Sequence, residues 1–131
     1  MPKKCPISVP PGLRIRLGKA RVQPGMEHET DRWLQMLNDR LTEATETLGR
    51  ERVVLELAFR ETDKTGQQWV TWLVIDGPGG ESIETSPFAI DREHVAFAAR
   101  CKEPGWREAD VELMLAPEPV RRALVQSAGL A

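Results

Sequence analysis

VVLELAFRETDKTGQQWVTWLVI, residues 53–75, is the stretch whose reading decides the fold. Val53, Leu55, Leu57 and Phe59 alternate with Val54, Glu56, Ala58 and Arg60, the two-residue period that sends successive side chains to opposite faces of a strand. Asp63, Lys64, Thr65 and Gly66 are turn formers without that period. Trp69 to Ile75 then resumes an apolar run of β-branched and aromatic residues. Two such runs joined by about four residues predict an antiparallel hairpin.

On the N-terminal side, Leu13, Ile15 and Leu17 alternate with Arg14, Arg16 and Gly18 and predict a first strand. Beyond the break at Pro24 and Gly25, Trp33, Leu37, Leu41, Ala44 and Leu48 recur at helical spacing. They predict one long amphipathic helix over 27–48, with Gly49 just past its C-terminus. Residues 1–12 hold four of the ten prolines and no hydrophobic period, so they are read as an extended N-terminal arm before a single α+β domain at 13–131.

On the C-terminal side, Gly77, Pro78, Gly79 and Gly80 end the hairpin. A second helix is expected over 91–102, with Asp91 as N-cap and Val95, Phe97 and Ala98 packing. Val111, Leu113 and Leu115 alternate with Asp110, Glu112 and Met114 as a fourth strand, and 117–127 predicts a short terminal helix carrying Val120, Leu124 and Val125. The order is βαββαβ plus a tail helix. That is the ferredoxin-like plan, a four-stranded antiparallel sheet with two helices on one face.

On this reading Arg14, Arg16, Glu56, Arg60, Asp110 and Glu112 point away from the helices, beside the apolar Val54, Ala58 and Met114. A sheet face that is half charged and half apolar fits a subunit interface around a polar cavity, so a homodimer is expected. Glu56, alone in an apolar strand, is expected to pair with Arg14, Arg16 or Arg60, as an interface ion pair before a catalytic acid.

A chain of 131 residues, 40% hydrophobic and 29% charged, leaves no room for a multi-domain enzyme. Eighteen basic against twenty acidic residues argue against a nucleic-acid partner held through phosphate contacts. The longest apolar runs are too short to span a membrane. The N-terminus carries no apolar core of a signal peptide, so a cytoplasmic protein is expected. Cys5 and Cys101 stand far apart and His28 and His94 make no ligand pair, so neither disulfide nor metal is expected. The Gly77–Gly80 run lacks a phosphate-loop lysine, no nucleophile elbow is present, and no cofactor is expected.

His94 follows Asp91 by three residues, which puts both on one helical face. A carboxylate there orients the imidazole and raises its pKa, suiting a general base. The plainer alternative has Asp91 cap the helix while His94 packs locally. Trp33, Trp69, Trp72 and Trp106 are assigned first to packing and second to stacking on a flat ligand. The candidate catalytic residues are therefore His94, Asp91 and Glu56, and the candidate ligand-binding residues are Arg16, Glu56, Arg60, Trp72 and His94.

The segments Glu56 to Glu61, Trp72, Gly79 and Gly80, Ser86, Ile90 to His94 and Cys101 resemble a small bacterial domain-of-unknown-function family, DUF6176. Lys19, Pro24 and Gly25, the helix from Trp33 to Leu37, and Pro117 to Arg121 extend the resemblance over roughly 13–125. It implies a fold and dimerisation of the dimeric α/β-barrel kind and assigns no catalytic residue. Three functions follow as expectations. The first is a homodimeric small-molecule binding module with its pocket between the sheet and the second helix. The second is a cofactor-independent oxygenase or isomerase using His94 as base, and the third a non-catalytic interaction or stress protein.

Overall fold

The computed structural model describes residues 5–130; residues 1–4 of the expected arm and Ala131 lie outside them. The hairpin is present as β2 (Val53–Thr62) and β3 (Gln68–Asp76), paired antiparallel from Val53 and Asp76 to Thr62 and Gln68. Its turn is closed by Asp63, whose carboxylate accepts from the Thr65 and Gln67 amides and from the Trp69 indole. β1 (Arg14–Arg21) lies on the other edge of β3, antiparallel, with Arg14 opposite Asp76 and Arg21 opposite Trp69. β4 (Arg107–Ala109) completes an antiparallel sheet of order β2-β3-β1-β4. The helices are α1 (Glu27–Asp39), α2 (Leu41–Glu51), α3 (Ala89–Cys101) and α4 (Glu118–Ser127). The fold is α+β.

The single long helix expected over 27–48 is two. The backbone leaves the helical region at Arg40 (φ −111°, ψ 44°), whose guanidinium is held by Glu43 of α2 and Glu93 of α3. Apolar spacing runs across that joint unbroken, so periodicity does not reveal it. Gly49 lies inside α2, and Arg52 provides the left-handed C-cap at φ 58°. Asp91 is not the N-cap of α3. It sits in the first turn, buried, and accepts a hydrogen bond from Ser86 Oγ, which itself accepts from the Phe88 amide.

The expected fourth strand at 110–115 is also corrected. Only Arg107–Ala109 pairs with β1, opposite Leu17 to Lys19. The chain then turns onto the sheet: Val111 and Met114 pack with Leu13 and Ile75, and the Met114 amide donates to Ser8 Oγ. Val9 is only 4% exposed within this same cluster, so the part of the arm that carries it belongs to the core.

The faces of the sheet are the reverse of those expected. Val70 and Trp72 pack against Val22, Trp33 and Cys101 beneath α1 and α3. Register puts Arg16 and Glu56 opposite Val74 and Arg60 opposite Val70, which places these charged residues on the helix side. β3 decides the matter: its indole at Trp72 is the larger apolar load, and it drags the cross-strand partners of its own face under the helices. The other face carries Leu17, Leu55, Leu57, Phe59 and Leu73, covered at one end by α4 and the chain around Val9 and Met114.

Candidate functional site

Because β4 stops at Ala109, the edge of β1 from Arg14 to Arg16 has no strand partner on that side among the described residues. A cavity of about 520 Å³ opens there and runs beneath the sheet to α3. Arg16, Glu56, Trp72 and His94 all line it, as do Trp33, Glu51, Ala98 and Trp106. A volume of this size suits a small organic ligand.

The inner wall is aromatic. Trp33 and Trp72 stack with ring centroids 5.1 Å apart at 17°, and the His94 ring tilts against both, at 5.5 and 5.4 Å. Trp33 Nε1 donates to His94 Nδ1 at 2.9 Å, and Trp72 Nε1 donates to Glu56 Oε1 at 2.8 Å. A neutral imidazole that accepts at Nδ1 carries its proton on Nε2. Burial pushes the His94 pKa down to about 4, and the Asp91 carboxylate, which acts in the opposite direction, does not offset it. Near neutral pH the ring is therefore an uncharged hydrogen-bond donor. Asp91 does act to raise the imidazole pKa, as expected, but it also accepts from Ser86 Oγ, and desolvation outweighs it, so the net shift is downward.

The outer wall is acidic. Glu56 presents surface to the cavity, yet the protein packed round it raises its carboxyl pKa, with Asp91 adding to the effect and the Trp72 indole and Arg16 opposing it. Glu51, the last residue of α2, is pushed up to about 7, first by burial and then by Asp91 and Glu56, against Arg50 and Arg16. Its position is fixed by the loop after β3. A Cβ on Gly80 would lie 2.0 Å from the Glu51 carbonyl oxygen, so this approach of two backbones requires glycine.

The arginines are distributed differently from the expected pairing with Glu56. Arg14 and Arg16 both bond the Asp76 carboxylate, Arg14 through Nε at 2.8 Å and Nη2 at 3.1 Å, and Arg16 through Nη2 at 2.6 Å. Asp76 is 2% exposed. Arg60 bonds Asp31 and the Glu27 carbonyl on α1, away from the residues that line the cavity. Of the sequence-derived candidates, Arg16, Glu56, Trp72 and His94 come together at one cavity, Asp91 lies behind it, and Arg60 stands apart. Sequence reasoning missed Glu51, which looks like one more solvated glutamate on a charged helix. No signal in the sequence marked it, because the apolar period ends at Leu48 and leaves Glu51 beyond the expected helix.

Trp106 closes the mouth over β1, its ring within 3.2 Å of where a Cβ on Gly18 would stand. Among the described residues, no group of three or more His, Cys, Asp and Glu side chains is arranged to hold a metal ion, and no helix is long and apolar enough to cross a membrane. A protein-family model matches residues 13–122, that of a family of unknown function, DUF6176. No curated protein and no solved structure matches the chain.

Proposed function

The chain belongs to the DUF6176 family, and from that premise we propose that it is a cytoplasmic, homodimeric small-molecule binding module of ferredoxin-like, dimeric α/β-barrel type. Its ligand occupies the cavity between the sheet and the helices. The observation that carries this reading is the convergence of the Trp33 and Trp72 stack, the His94 donor and two carboxyls on one 520 Å³ space. A small apolar cavity with a few oriented polar groups is the ordinary form of a ligand site. The sheet order β2-β3-β1-β4 supports the ferredoxin-like plan, and the apolar face opposite the helices supports the dimer. A screen of small organic fragments followed by tryptophan fluorescence tests the binding reading. Hits should quench or shift the emission, and Trp72→Ala, if folded, should lose them; a screen in which no fragment binds overturns it.

A second reading, a cofactor-independent enzyme, is favoured by one observation. A carboxyl with a pKa of about 7, as at Glu51, is poised for proton transfer at neutral pH. On that reading Glu51 takes the role of base, and His94, with its proton on Nε2, supplies a hydrogen bond to developing negative charge.

A further inference from the structure

Among the described residues, the lining of the cavity holds an excess of acid. Four carboxyl side chains line it, those of Glu51, Glu56, Glu108 and Asp110, against the guanidiniums of Arg14 and Arg16. Both guanidiniums bond the buried Asp76 carboxylate, whose one charge offsets one of theirs, and Arg16 also acts on Glu51 and Glu56. Trp72 and Trp106 offer π surface on the walls, which attracts cations, as Lys102 over the Trp106 ring at 4.6 Å illustrates.

We propose that the ligand of this cavity is a small organic cation, an amine whose protonated nitrogen meets the Glu51 and Glu56 carboxylates while its apolar body lies against Trp72 and Trp106. This rests on the binding reading given above. An anion would face four acidic residues against a single guanidinium charge that Asp76 leaves uncompensated. A neutral ligand would exclude water from Glu51 and Glu56 and give them no partner, which costs free energy. A metal ion lacks a ligand set among the described residues. An ammonium satisfies both carboxyls, and it does so in a place where burial and then the Asp91 carboxylate hold their pKa values up, Glu56 adding to the effect on Glu51. The groups acting on Glu51 are Asp91 from α3, Glu56 from β2, Arg16 from β1 and its neighbour Arg50; Arg50 is in turn bridged to Glu81 of the adjoining loop at 2.8 Å. Binding of a cation lowers the Glu51 pKa, so near pH 7 each binding event expels part of a proton.

Three probes with one ring and different charge separate the possibilities: benzylamine, benzyl alcohol and benzoate, titrated calorimetrically into the intact protein at pH 7. Benzylamine should bind at least about tenfold more tightly than either of the others, a difference of about 1.4 kcal/mol. Its heat should change with the ionisation enthalpy of the buffer, reporting proton release. Glu51→Gln should abolish that buffer dependence, and Glu56→Gln should weaken benzylamine about tenfold while leaving benzyl alcohol unchanged. Should either variant fail to fold, the buffer dependence of the wild-type heat decides alone. Equal or tighter binding of the alcohol or benzoate overturns the cation and leaves the binding module standing. Failure of all three probes overturns the cation too, and the fragment screen then decides the module by itself.

Discussion

The proton on the His94 ring is placed by an indole 61 positions away in the chain, since Trp33 Nε1 occupies Nδ1. That single bond turns an apparent general base into a donor, and burial of the same ring makes it a source of acid sensitivity. The folded His94 pKa of about 4 lies below its ordinary 6.5. Between those values the unfolded chain holds the extra proton, so stability falls as pH drops through the window. Glu51 works the other way. Its folded pKa of about 7 lies above its ordinary 4.5, so the folded chain holds the extra proton between them and stability falls as pH rises from 4.5 to 7. Between pH 4.5 and 6.5 the two slopes oppose, each up to about 1.4 kcal/mol per pH unit at full proton difference. Glu51→Gln removes one of them. Urea denaturation of this variant should show stability falling from pH 6.5 towards 4.5 more steeply than the wild type, together with a gain over the wild type at pH 8. Parallel curves for the two proteins would show that Glu51 titrates normally.

At the level of elements, β1 and β3 are joined at one end by more than their ladder, because Asp76 of β3 takes three hydrogen bonds from Arg14 and Arg16 of β1. Removing a buried member of an ion pair costs about 3–5 kcal/mol when its partner stays buried. Here both arginine side chains are more than half exposed and recover hydration, so the cost of Asp76→Ala should be nearer 1–3 kcal/mol. Chemical denaturation measures it, and a loss below about 0.5 kcal/mol would place the strand pairing in the ladder alone. The hairpin and the first strand were legible because period two is local and survives in any context. The break at Arg40 was not, since it depends on Glu93 from another helix. Nor was the end of β4, which is set by Val111 and Met114 preferring the core beside Leu13 to a ladder with β1. Alternation names two faces and does not say which one the helices cover. That choice was made by Trp72 meeting Trp33, and it moved Arg16 and Glu56 from an expected interface into a cavity. His94, Glu56 and Trp72 could be picked out as unusual residues in their segments, whereas Glu51 acquires its character only in the folded chain, from burial first and then from Asp91 and Glu56.

For the whole molecule, the reversal of faces changes where a second copy would dock. Leu55, Leu57 and Phe59 are 41%, 40% and 53% exposed on the face away from the helices, and Leu113 and Leu115 are exposed as well. A run of large apolar side chains on a sheet is costly to leave in water, at about 25 cal/mol per Å², and a symmetric partner offering the same surface covers it. Sedimentation equilibrium at micromolar concentration should therefore give about twice the 14.7 kDa chain mass. The substitution that tests the surface is Phe59→Glu, which places a charge at the most exposed member of the apolar run and should shift the protein to monomer while leaving its circular dichroism intact. Arg16→Glu serves as the contrast. Its side chain is on the cavity side and bonded to Asp76, so it should lower stability and leave the dimer associated. If Arg16→Glu dissociates the protein and Phe59→Glu does not, the interface lies on the helix side of the sheet, and a monomeric wild type removes it altogether.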